Sequence, residues 1–427
     1  MRKRGKRILA GGLALCMTAG LSGCGKAEEE LSKEIKNLME GVTAQAATPK
    51  GELTDKELAA ITDFSVRLLQ DCVTEDAGEN TIVSPLSVIY ALAMTANGAE
   101  GETLTQMEAV LGMPVEELNE CLQGCMEHYE NAKYKLQLAN SIWFTEEESR
   151  KFVANQSFLQ KNADYYDAEI YQTVFDDAAK KAINEWVSEN TDGMVKEILD
   201  EIDPYAIMYL VNAVAFDAEW QEIYKESQVW EQNFTNASGE ENRVEFLHSE
   251  EGVYLEDENA SGMLKYYSGR KYAFMAMLPK EGMTVEEYIQ TLDGAAWQKL
   301  LAEQSLVDVD VALPKFTCEA DYNMNEILSA MGMPIAFDKM LADFSGMGEV
   351  PPEYNISINR VLHKAKIEVD EKGTKAGAAT VVEMTNEATA FMPQERKEVI
   401  LDRPFVYMLV DCESCLPIFM GTVTNLK

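Results

Sequence analysis

A chain of 427 residues, 46% of them hydrophobic, is long enough to bury a sizeable core as one large domain or two ordinary ones. Its 73 acidic residues against 37 basic ones give a net charge of −36, which argues against nucleic acid and against electrostatic adhesion to anionic lipid. The 8 cysteines are too few and too scattered for a disulfide scaffold.

In chain order, Arg2, Lys3, Arg4, Lys6 and Arg7 precede a short apolar run over 8–21. The run is too short to span a bilayer comfortably, and it ends in small residues, so residues 1–23 read as a signal peptide. Leu21-Ser22-Gly23-Cys24 looks like a bacterial lipobox, in which Cys24 would be lipidated and become the new N-terminus. Removal of 1–23 leaves 32 basic against 73 acidic residues, a net charge of −41. Lipid rather than charge would then hold the protein at the outer face of the membrane. Residues 24–50 read as a tether and 51–427 as a single folded domain.

Thr54-Asp55-Lys56-Glu57 is a capping box that opens a helix with an apolar stripe through Leu58, Ile61, Phe64, Leu68 and Cys72. Next, residues 80–94 run a short strand into an Ala-rich helix, with Ser84 as N-cap and Pro85 at the first helical position. Helices are expected over 116–133, 152–166, 178–191, 284–302 and 322–332, and strands over 135–145 and 169–175. The near-continuous apolar run 206–220 reads as a central strand covered on both faces. Residues 307–316 alternate as one further strand, and 402–410 with 417–423 close the chain as a hairpin. In the turn of that hairpin, Cys412 and Cys415 could clip the two strands together or stay apart.

Residues 361–370 alternate cleanly, with Val361, His363, Ala365, Ile367 and Val369 on one face and charges on the other. After Gly373, the alternate positions Thr374, Ala376, Ala378, Thr380, Val382 and Met384 are all uncharged and the first four are small. A solvent loop has no need of that pattern. A loop that becomes an interior strand does, because a charge on the buried face would cost several kcal/mol, on the order of 3.

This DEKGTKAGAAT stretch closely resembles the reactive-loop hinge of the serpins, and other segments follow in that family's order. Asn80–Met94, the GAEGETL segment from Gly98, LVNAVAFDAEW ending at Trp220, ADFSG from Ala342, DRPF from Asp402 and FMGTV from Phe419 each resemble a serpin signature. The resemblance implies an α+β serpin fold: eight or nine helices around a large mixed central sheet, two smaller sheets, and an exposed reactive loop over about 371–397. It assigns the hinge to Glu371, Gly373, Thr374, Ala376, Gly377, Ala378, Ala379 and Thr380. It gathers Ser84, Ser87, Asn212 and His363 at the shutter, where the central strands part. It also puts Trp220 at the loop's insertion point, with Lys315 pairing with Glu371.

The activity implied is suicide inhibition of a serine endopeptidase, with cysteine endopeptidases as a further class, and without cofactor or metal. The protease forms an acyl-enzyme, and the cut loop enters the sheet and drags it along. Counting from Glu371 puts the scissile bond at Glu387-Ala388, which suits a Glu-specific protease. The stretch from Gly373 to Pro404 is longer than is usual, so Thr385-Asn386, Ala388-Thr389 and Thr389-Ala390 stay open for elastase- or subtilisin-like enzymes. The chain carries no HExxH, Walker-type loop, GxGxxG or GxSxG and only three histidines, so an enzyme is not expected. A non-inhibitory serpin acting as a surface binding module is the competing reading.

Overall fold

The computed structural model describes residues 35–45, 53–75, 78–129, 135–374 and 396–427. A single compact unit runs from Ile35 to Lys427. Its large sheet has seven strands: β1 (Lys36–Asn37), β2 (Lys135–Thr145), β3 (Glu169–Thr173), β4 (Met208–Glu219), β5 (Phe316–Asn323), β6 (Arg360–Val369) and β7 (Gly373–Thr374). In space they run β1-β3-β2-β4-β7-β6-β5. A six-stranded sheet, a four-stranded sheet and a two-stranded pair complete the β structure of the described residues, which also hold nine α-helices.

Local signals position these elements as the sequence implies. Helix α1 (Asp55–Glu75) opens on the Thr54 box, with Thr54 N–H donating to Glu57 Oε2 at 2.8 Å and Glu57 N–H to Thr54 Oγ1 at 3.4 Å. Helix α2 (Pro85–Ala96) starts at Ser84, whose hydroxyl accepts from Ser87 N–H, and every residue in it is buried. It lies behind the large sheet, where Leu210, Val214 and Phe216 of β4 join the main core. On the opposite face Tyr209, Val211 and Ala213 of β4 pack with Ile183 and Val187 of helix α3 (Asp177–Asn190). The apolar run of β4 is therefore continuous because both of its faces are covered.

Several expectations are corrected: the helix expected over 284–302 is two, Val285–Ile289 and Gly294–Ala302, and the one expected from 152 begins at Gln156. The single strand expected over 307–316 is two strands in different sheets: Asp308–Pro314 in the four-stranded sheet, then β5 after the break at Lys315. β5 alternates Phe316, Cys318 and Tyr322 inward against Thr317, Glu319 and Asp321, and it pairs antiparallel with β6 along its whole length. The helix expected from 322 accordingly begins at Met324. Residues 35–45, expected to lie outside the folded domain, belong to the compact unit. There β1 pairs with β3 at the sheet edge, while Leu38, Met39 and Val42 pack against the core.

Candidate functional site: the parted head of the large sheet

From Arg360 to Ala365, β6 runs parallel to β4, pairing with Tyr209 to Val214. Beyond that the two strands separate, and β7 occupies the gap: Thr374 pairs with Ala218 on one side and Val369 on the other, and Gly373 pairs with Glu219. The chain reverses out of β6 through Asp370, whose Oδ1 accepts from the backbone N–H of Lys372 (2.7 Å) and Gly373 (3.1 Å). Gly373 is required by crowding, since a Cβ there would lie 2.1 Å from the carbonyl oxygen of Ala218. Thr374 is 1% exposed, and its hydroxyl hydrogen-bonds Tyr267.

Two residues hang the hinge from the sheet head. Trp220 donates from its backbone N–H to Lys372 O and from Nε1 to Asp370 O, both at 2.8 Å. Tyr224 N–H donates to Glu371 O at 3.0 Å. Trp220 is buried against Tyr267, their rings stacked 4.5 Å apart. Lys315 Nζ lies 2.9 Å from Glu371 Oε2 and 3.1 Å from Glu245 Oε2, so Lys315 and Glu371 do form an ion pair. The Lys315 contact holds the Glu371 carboxyl below its ordinary range. The pair is partly solvent-exposed, which limits its worth to about 0–1 kcal/mol.

Ser84, Ser87, Asn212 and His363 meet midway along the sheet, all fully buried. Ser84 N–H donates to His363 Nε2 at 3.2 Å, so the ring proton sits on Nδ1 and is donated to Asn212 Oδ1. The Asn212 amide in turn donates to Ser87 and to Asn140 Oδ1. A ring whose Nε2 already accepts cannot take a second proton cheaply, and burial pushes its pKa down to about 3. In register, Asn140, Asn212 and His363 form one polar row across β2, β4 and β6 on an otherwise apolar face.

Asn140, Tyr224 and Tyr267 did not emerge from the sequence reading. Asn140 carries a readable signal, because it interrupts the inward series Leu136, Leu138, Ile142, Phe144. The two tyrosines carry none, since buried tyrosines are scattered through this core. The predicted hinge residues Ala376, Gly377, Ala378, Ala379 and Thr380, the bond Glu387-Ala388 and the lipidation residue Cys24 lie outside the described residues. In the hairpin turn, Cys412 and Cys415 carry free thiols. Among the described residues, no cluster of three or more His, Cys, Asp or Glu side chains could hold a metal ion.

A sheet parted at its head, with a returning strand started in the gap, can be compared with known proteins. The family model of the serpins (serine protease inhibitors) matches residues 59–426. The chain belongs to the serpin family. A serpin-like protein of Thermococcus kodakarensis is 32% identical over 371 residues, 84% of this chain and 84% of its own. Serpin B6 of Pongo abelii is 30% identical over 380 residues, covering 85% of this chain and 97% of its own. Among solved structures, the thermophilic serpin tengpin in its native state shares 44% identity at a TM-score of 0.86, covering 92% of this chain and all of that one. Tengpin in its latent state, at the same identity, reaches a TM-score of 0.77 over 89% of this chain. Serpins are generally protease inhibitors rather than enzymes, and this serpin has the expected fold, including a large mixed sheet.

Proposed function

We propose that this serpin is an irreversible suicide inhibitor of serine endopeptidases that works by taking its cut loop into the large sheet. The observation that carries the reading is β7: Gly373–Thr374 is already paired between β4 and β6, so the inserting strand has its first two residues in place. Continuing the Thr374 register down the gap sets each later residue opposite a definite pair. In the inserted state Ala376 would meet Phe216 and Ile367, Ala378 would meet Val214 and Ala365, and Thr380 would arrive between Asn212 and His363. Small side chains suit those places because Phe216 and Ile367 already fill the core beside them. The same register would bring Lys375 opposite Asp217 and Glu368 on the outer face, where a cation would be matched rather than misplaced.

The shutter lies on this path. The His363–Asn212 hydrogen bond joins the two strands that must separate, and the Thr380 hydroxyl would replace it once they have. Insertion gains ladder hydrogen bonds and buries small apolar surface. Thr374 belongs to the large sheet and Arg396 to the edge strand Arg396–Ile400 of the four-stranded sheet, so one cut between them frees the N-terminal arm to move. A protease acylated at the cut is carried along, and a displacement of about 1 Å in its catalytic groups can cost roughly 10²-fold in rate.

The scissile bond in this reading is Glu387-Ala388 and the target a Glu-specific protease, with elastase- and subtilisin-like enzymes as the alternatives. Lipid on Cys24 would hold the inhibitor, as a monomer, at the outer membrane face. Mixing the protein with one protease of each class tests the proposal. An SDS-stable one-to-one adduct is expected, with mass spectrometry of the released peptide placing the cut. Clean loop cleavage without an adduct by all three would favour the binding-module reading instead.

A further inference from the structure

We infer that the buried Lys265–Glu251 pair is a positioning element for the docked hinge, acting through Tyr224 and Trp220, and that it governs how readily the sheet head admits a strand. Lys265 is the penultimate residue of the strand Ala260–Tyr266, among buried Met263, Leu264 and Tyr267, and its side chain is only 3% exposed. A lysine is rarely placed so deep without a specific partner. Its Nζ donates to Glu251 Oε1 at 2.7 Å, and Glu251 is itself nearly buried. The same ammonium stands 4.4 Å from the Tyr224 ring centroid and 5.5 Å from that of Trp220.

The contacts close a circuit. Ser249 Oγ donates to Glu251 Oε1 at 2.6 Å and lies 3.2 Å from Tyr224 OH, so both ends of the Tyr224 side chain's surroundings are tied to the pair. Burial disfavours the ammonium, but Tyr224 and Glu251 outweigh it and raise its pKa. Tyr224 and Trp220 are the residues from which the carbonyls of Asp370, Glu371 and Lys372 hang. Among the described residues Lys265 reaches Glu251 and both rings, so its influence on the hinge passes through the rings. A methionine of similar length would fill the space with less desolvation. The charge adds a fixed point that holds two aromatic rings in one arrangement.

This inference rests on the inhibitory reading, and the experiment separates the two. The probe is a synthetic 12-residue peptide of sequence TKAGAATVVEMT, which copies residues 374–385 and competes with Gly373–Thr374 for the same ladder. Its uptake by the intact protein is followed on native gels, with urea-unfolding midpoints in parallel. The double variant Lys265→Met/Glu251→Gln removes both charges and strands neither. It is expected to take up peptide about tenfold faster than wild type with a near-unchanged midpoint, and Lys265→Arg to stay close to wild type. Faster uptake only in proportion to a lowered midpoint, or unchanged uptake in the double variant, would overturn the positioning role while leaving the inhibitory reading intact. A wild-type protein that neither takes up peptide nor forms a protease adduct would remove both.

Discussion

Acidification should destabilise the fold through one residue, His363. His363 is fully buried with its pKa lowered from 6.5 to about 3 by burial, so the folded protein keeps the ring neutral through the whole range between these values. The unfolded chain, with an ordinary histidine, binds a proton there that the folded one refuses. Stability from the neutral ring is therefore complete above pH 6.5 and is lost as pH falls toward about 3. The slope approaches about 1.4 kcal/mol per pH unit, so moving from pH 6.5 to 5.0 costs roughly 2 kcal/mol. His248 is shifted the same way by burial and adds to the wild-type slope. The difference between wild type and His363→Gln isolates the shutter histidine. The assay is the urea midpoint by tryptophan fluorescence at pH 7.5, 6.5, 5.5 and 5.0. Wild type should lose stability steeply below pH 6.5, while His363→Gln starts lower and declines less. Parallel profiles for the two proteins would refute the assignment of a neutral, Nδ1-protonated ring bridging Ser84 and Asn212.

Three further outcomes follow from the same geometry. Thr374→Arg would force a cation into a site that is 1% exposed beside Tyr267; under the proposed function it should yield cleaved protein in place of adduct on SDS gels. Lys315→Ala removes a partly exposed pair, so its thermal shift should correspond to no more than about 1 kcal/mol, while proteolysis within the hinge at Lys372 by a Lys-specific protease speeds up. Deleting residues 1–45 strips β1 from the sheet edge and bares the surface under Leu38, Met39 and Val42. The expected cost is about 2–3 kcal/mol in the urea midpoint, against no change for deletion of residues 1–34 alone.

The signals local in sequence were legible without coordinates. The Thr54 box, the Ser84-Pro85 start, the two-faced apolar run of β4 and the alternation of β6 each depend on neighbours within one turn or one pleat, so periodicity alone exposes them. Thr374, the first of the small uncharged positions after Gly373, was equally readable, and its site is buried beside Tyr267. Tertiary structure alone decided where strands change sheets and which distant groups meet. The break at Lys315 sends two consecutive strands into different sheets, and its one trace in the sequence is a slip of the inward residues from odd positions (Val309, Val311, Leu313) to even ones (Phe316, Cys318, Tyr322). The edge pairing of β1 depends on β3, more than a hundred residues away. Lys265, read as a residue, is one lysine among many. Its role emerges only because the fold buries it against Glu251, Tyr224 and Trp220, and burial is a property of the assembled chain rather than of any segment.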